Sequence, residues 1–102
     1  MTSGDIARFG AYLAEEKHSS QNTIFSYLRD VTQFAEYLHS TKDCLLRQAD
    51  SEMVQDYMTY TQNHGKSAAS VTRFLASVKA FYNFLMSDGL VEENPAKGLS
   101  AG

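Results

Sequence analysis

An all-α fold, a compact bundle of four main helices, is what this sequence predicts. Three observations carry it. Apolar residues return at three- and four-residue steps through four separate stretches, the repeat of a buried helical face. No stretch alternates apolar and polar residues in the manner of a half-buried strand. Serine or aspartate stands where these stretches begin, and glycine follows two of them, as helix caps and stops require.

The first helix is expected over residues 5–16, where Ile6, Phe9 and Leu13 share a stripe with Tyr12 beside it. Gly10 lies inside it, at a cost of about 1 kcal/mol against alanine, and can let a neighbouring helix approach closely. Asp5 suits the first turn, as a cap or as a charge facing the helix dipole. His18-Ser19-Ser20 breaks the pattern. Ser19 or Ser20 is the expected N-cap of a second helix that runs to about Leu38. Its buried stripe is Ile24, Tyr27, Leu28, Val31, Phe34, Ala35 and Leu38. Asn22, Ser26, Arg29 and Gln33 form the polar stripe opposite.

Residues 39–49 read as a connection, with Leu45 and Leu46 tucked against the core. Asp50 or Ser51 starts the third helix, where Val54, Tyr57, Met58 and Thr61 share a face. Gly65 can supply the left-handed conformation that ends it. Ser67 caps the fourth helix, which reaches about Ser87. Val71, Phe74, Leu75, Val78, Tyr82 and Leu85 form its core stripe, extended by Phe81 and Phe84. Ser70, Arg73 and Ser77 form its polar stripe, with Lys66 just before the first turn. Gly89 closes it, and Asn94-Pro95 forces an extended or turn conformation, because the residue before proline avoids the helical region. The helices differ in length, so crossed and up-and-down packings are both open.

With 102 residues, the chain suits one hydrophobic core rather than two. The apolar fraction is 43 %, and six Phe and six Tyr are enough aromatics to fill a small core. The net charge of −3 is a poor global signature for a nucleic-acid binder, although contact depends on where the charges sit. Cys44 is the single cysteine, so an intrachain disulfide is impossible and a cysteine-based zinc site unsupported. His18, His39 and His64 are scattered near expected helix ends without ligand spacing. No apolar run approaches the roughly 18 residues of a membrane span, and Met1 to Asp5 carry no basic side chain to begin a signal peptide. The expectations are a cytoplasmic protein with no cofactor, no metal, no membrane partner and no small-molecule substrate.

The motifs resemble a known family. Ser20-Gln21-Asn22-Thr23-Ile24 is followed by Tyr27-Leu28-Arg29-Asp30, Phe34 and Tyr37-Leu38. Later come Ser70-Val71-Thr72-Arg73, Leu75, Ser77-Val78-Lys79 and Phe81-Tyr82-Asn83-Phe84-Leu85, then Gly89 and Glu93-Asn94-Pro95-Ala96. In this order and spacing, over residues 5–97, the chain resembles the SAM-like N-terminal core-binding domain of tyrosine recombinases and phage-type integrases, near the Xer-like branch. The resemblance implies a helical domain over residues 1–97, with 98–102 starting a linker toward a catalytic domain outside this chain. It implies a module that clamps one face of duplex DNA at a recombination half-site and touches neighbouring recombinase protomers. Strand cleavage would belong to the missing domain. Tyr27, Tyr57 and Tyr82 fall on apolar stripes, so no residue here is expected to be catalytic.

Carried onto this sequence, the resemblance implicates Ser20, Asn22, Thr23, Ser26 and Arg29 of the second helix in DNA contact. From the fourth helix and its approach it implicates Lys66, Ser67, Ser70, Arg73, Ser77 and Lys79. A helix fits the major groove, and hydroxyls hold phosphate oxygens. The free amides near Ser67 to Ser70 make a natural phosphate site, to which Lys66 adds charge. Arg73 suits guanine or phosphate, or pairs with a neighbouring acid. Only nine Lys and Arg occur in the whole chain, so binding by the domain alone should be weak and salt-sensitive. The competing expectation is a protein-interaction module of the same descent, using the first helix around Phe9 and Tyr12.

Overall fold

The computed structural model describes residues 3–100, and they form four α-helices with no strand among them. The helices are α1 (Ser3–Glu15), α2 (Gln21–Tyr37), α3 (Ser51–Asn63) and α4 (Ala68–Ser87). Side chains start three of them. Ser20 accepts from the Thr23 amide at 3.2 Å, Asp50 from Met53 at 2.9 Å, and Ser67 from Ser70 at 3.1 Å. Each bond satisfies one amide that has no partner within its helix. Gly65 and Gly89 take positive φ after α3 and α4, which stops both helices where expected.

α2 does not simply end at Leu38. It widens into a π-helical turn over Leu38–Lys42. The Leu38 carbonyl accepts from the amides of both Asp43 and Cys44, and Asp43 adopts a left-handed conformation. A short 3₁₀ turn, Leu46–Gln48, leads to α3. Leu46 is fully buried there, whereas Leu45 faces solvent, contrary to the paired burial expected from sequence. An irregular connection has no period from which to choose between adjacent leucines.

α2 and α4 form the main packed pair, with α1 crossing both and α3 lying on α4. Aromatic rings fill the core on either side of the α2–α4 crossing. On one side Phe9 meets Phe81 edge-on at 5.3 Å between centroids. On the other, Phe34 meets Phe74 at 5.6 Å and Tyr57 packs on both. Gly10 is the close-approach point between α1 and α2, since a Cβ there would stand 3.1 Å from Leu28 Cδ1. Tyr27, expected in the core, is only half-buried.

Three polar devices fasten the connections. The buried Tyr82 hydroxyl donates to the Leu46 carbonyl at 2.6 Å, and burial pushes the phenol well above its usual pKa. Asp5, expected as a cap or as a charge in the first turn of α1, lies in that turn, where it is buried and accepts two hydrogen bonds from Arg47, both at 2.7 Å, and one from Arg8 at 2.6 Å. It thereby ties α1 to the connection before α3. After α4, the Asn94 side chain donates to the Lys79 carbonyl and to Asn83, while Pro95 and Ala96 are buried. Leu99, partly buried, also packs against the core. Ala101 and Gly102, the end of the expected linker, lie outside the described residues.

Two measurements follow from these contacts. Tyr82→Phe leaves the Leu46 carbonyl with only the longer bond from the Ala49 amide, at 3.3 Å, and should cost about 1 kcal/mol. Urea denaturation should show a lower midpoint at an unchanged slope. Asp5 has its pKa lowered from 3.8, chiefly by the Arg47 hydrogen bond and against the effect of burial. Its contribution is therefore complete above that value and is lost as pH falls through the lower folded pKa. Asp5→Asn should reduce stability at pH 7 and flatten the loss of stability below about pH 4. Parallel acid-denaturation profiles for the two proteins would contradict this.

Candidate nucleic-acid interface

The implicated residues separate into three groups. The first is at the helix starts. Ser20 pairs with Thr23 at the start of α2, hydroxyl to hydroxyl at 3.0 Å, and Ser67 pairs with Ser70 at the start of α4 at 3.1 Å. Both are Ser-x-x-Ser/Thr caps, which leaves the first-turn amides beside hydroxyls. Asn22 and Arg29 are exposed along α2, with Ser26 half-buried between them.

The second group surrounds Asp30. This carboxylate is only 4 % exposed and lies where α2 meets α4. Arg73 grips it with two bonds, Nε to Oδ2 at 3.0 Å and Nη2 to Oδ1 at 3.1 Å. The Ser77 hydroxyl donates to Oδ2 at 2.8 Å, with the Arg73 carbonyl a further acceptor at 3.0 Å. Ser77 is completely buried, so it does not share the open polar face on which the sequence placed it. It anchors the carboxylate instead. Hydrogen bonding to Asp30 raises the Arg73 pKa, against a smaller effect of burial, so the guanidinium is charged at any working pH. Its side chain is 42 % exposed. Arg73, Lys66, Ser70 and Gln33 border one depression over Asp30, Tyr57 and Phe74. Its volume of about 20 Å³ is far below that of a small-molecule site.

The third group consists of Lys79 alone. Its ammonium donates to the Leu99 carbonyl at 3.1 Å, on the side of α4 that faces the C-terminal segment. The structure thus brings Lys66, Ser70 and Arg73 together, places Asn22 and Arg29 along the neighbouring helix, and turns Ser77 and Lys79 to internal tasks. Sequence reasoning noticed Asp30 only as a neighbour of Arg29. The signal was its place three residues after Tyr27 and four before Phe34, at the edge of an apolar stripe, where a carboxylate needs a partner.

The family model for the phage integrase N-terminal SAM-like domain matches residues 6–89. The chain belongs to that family. This SAM-like domain is 35 % identical over 103 residues to a putative tyrosine recombinase of Caldanaerobacter subterraneus, covering 99 % of the chain and 34 % of the relative. It is 34 % identical to the tyrosine recombinase XerD of Listeria monocytogenes, covering 88 % of the chain and 31 % of the relative. It is 29 % identical to the tyrosine recombinase XerC of Shigella flexneri, covering 95 % and 33 %. The chain therefore spans about a third of the length of these relatives. No solved structure matches it. The SAM-like domain is a recombinase-related helical module, and the matched model is that of the N-terminal domain rather than of a catalytic one. Among the described residues, no helix is long and apolar enough to cross a membrane.

Proposed function

We propose that this domain holds one face of duplex DNA at a recombination half-site for a tyrosine recombinase, and leaves strand cleavage to another domain. The supporting observation is the cationic edge of Arg73, presented beside Lys66 and Ser70 next to the exposed side of α2. One helix of such a pair fits a major groove, and the cations and hydroxyls beside it suit phosphate oxygens. The relatives' names as tyrosine recombinases favour DNA as the polyanion.

Charge limits the affinity. Arg8, Lys42, Arg47 and Arg73 are all in ion pairs with acids. On the proposed face, Arg29 and Lys66 add to the outward part of Arg73. Each phosphate neutralised contributes about −0.9 to the slope of log K against log salt, so three cations give about −3.

Contact with other protein molecules is a second reading, favoured by Phe25. This ring is 69 % exposed on α2, one turn before Arg29. Phe9 does not serve that reading, because it is fully buried.

Amide NMR titration with a mixed-sequence duplex of about 20 base pairs, two helical turns, tests the DNA reading at low salt. Shifts should cluster in residues 20–33 and 66–79 and reverse as salt is added. Unmoved amides around Arg29, Lys66 and Arg73 would sink it. A concentration-dependent shift confined to the surroundings of Phe25, without DNA, would support the protein-contact reading in its place.

A further inference from the structure

The Asp30–Arg73 pair joins two helices, but its geometry does more than that. A guanidinium has five N–H donors in one plane, which form two usable forks. Asp30 takes the fork made by Nε and Nη2. The other fork, made by Nη1 and the second Nη2 hydrogen, has no part in these two bonds. The carboxylate is itself fixed: it is nine-tenths buried or more, and Ser77 holds one of its oxygens from inside the domain. Arg73 is thus clamped on one edge by a rigid group while its side chain remains 42 % exposed.

We propose that Asp30 is a positioning residue for DNA binding, clamping one edge of Arg73 so that the opposite edge is preset to receive two oxygens of a backbone phosphate. This rests on the reading of the domain as a DNA-binding module. Phosphate is the acceptor because Ser70 and Lys66, which border the same depression, are groups that hold phosphate oxygens. Two parallel N–H donors match two phosphate oxygens, and a lysine ammonium does not reproduce that fork. An arginine already held in its bound geometry loses little conformational freedom on binding.

Asp30 is an acid close to a surface that would receive a polyanion. Removing its charge moves the net charge of −3 one unit toward positive, and by charge alone should tighten DNA binding. If Asp30 positions Arg73, removing the charge weakens binding instead.

Fluorescence anisotropy at low salt, with two labelled duplexes of different sequence, separates these cases. Circular dichroism confirms that each variant is folded. Asp30→Asn should raise Kd about 3- to 10-fold on both duplexes, the cost of ordering one long side chain at the moment of binding. Arg73→Lys keeps the charge without the fork and should lose as much affinity as Arg73→Ala. This second comparison stands even if Asp30→Asn does not fold. Unchanged or tighter binding by folded Asp30→Asn, or wild-type affinity for Arg73→Lys, overturns the inference while the DNA-binding reading survives. A loss confined to one duplex overturns the phosphate assignment. A wild-type protein that binds neither duplex overturns the DNA-binding reading, and the inference with it.

Discussion

A carboxylate buried between two helices is the constraint on which this domain's geometry depends. Asp30 is too far inside to be solvated, and an unpaired charge there would cost several kcal/mol. It is satisfied only when α4 brings Arg73 and Ser77 to it, and those residues lie 43 and 47 positions away in sequence. The aromatic rings on either side provide the bulk of the burial, but apolar contacts tolerate sliding. A two-bond fork tolerates little. The α2–α4 crossing is therefore fixed in register by polar geometry and held together by the packing around it.

The same kind of pairing limits the cationic surface of a domain that already carries a net charge of −3. Four basic side chains are committed to acids within the domain, and Asp5 alone occupies two of them. These pairs stabilise connections rather than create an electrostatic surface. Long-range attraction to a polyanion is consequently small, and under the proposed DNA contact much of the binding energy would come from donors already in place. That agrees with caps at both helix starts that pair hydroxyls next to free amides, since such groups act at contact distance and not across a Debye length.

Local features were legible in the sequence. The capping serines Ser20 and Ser67 and the capping Asp50 announce themselves by side-chain chemistry that acts three residues away. Core stripes are legible because helical periodicity repeats them, and Val31, Phe34, Val71, Phe74 and Val78 are all buried. The misplacements share a different cause. Leu45 lies in an irregular connection, where no period applies. Ser77 looks polar on a helical wheel, yet it belongs inside once a buried carboxylate is there to accept from it. Asp5 does sit in the first turn as one of its two readings had it, but its burial against Arg47, 42 residues later, is not visible there. The last two were decided by a tertiary partner that one-dimensional reading does not supply.

That distinction also bears on the site. A basic residue on a helical face is equally consistent with solvent, an ion pair or a ligand, and under the proposed phosphate contact Arg73 would combine the last two. One edge of its guanidinium completes the fold and the other is oriented by that completion. Lysine, with a single compact charge, would have to choose between Asp30 and an incoming oxygen. Arginine has donors for both, so under the proposed phosphate contact the residue that locks α2 to α4 would also carry the rigidity of that crossing to the bound group.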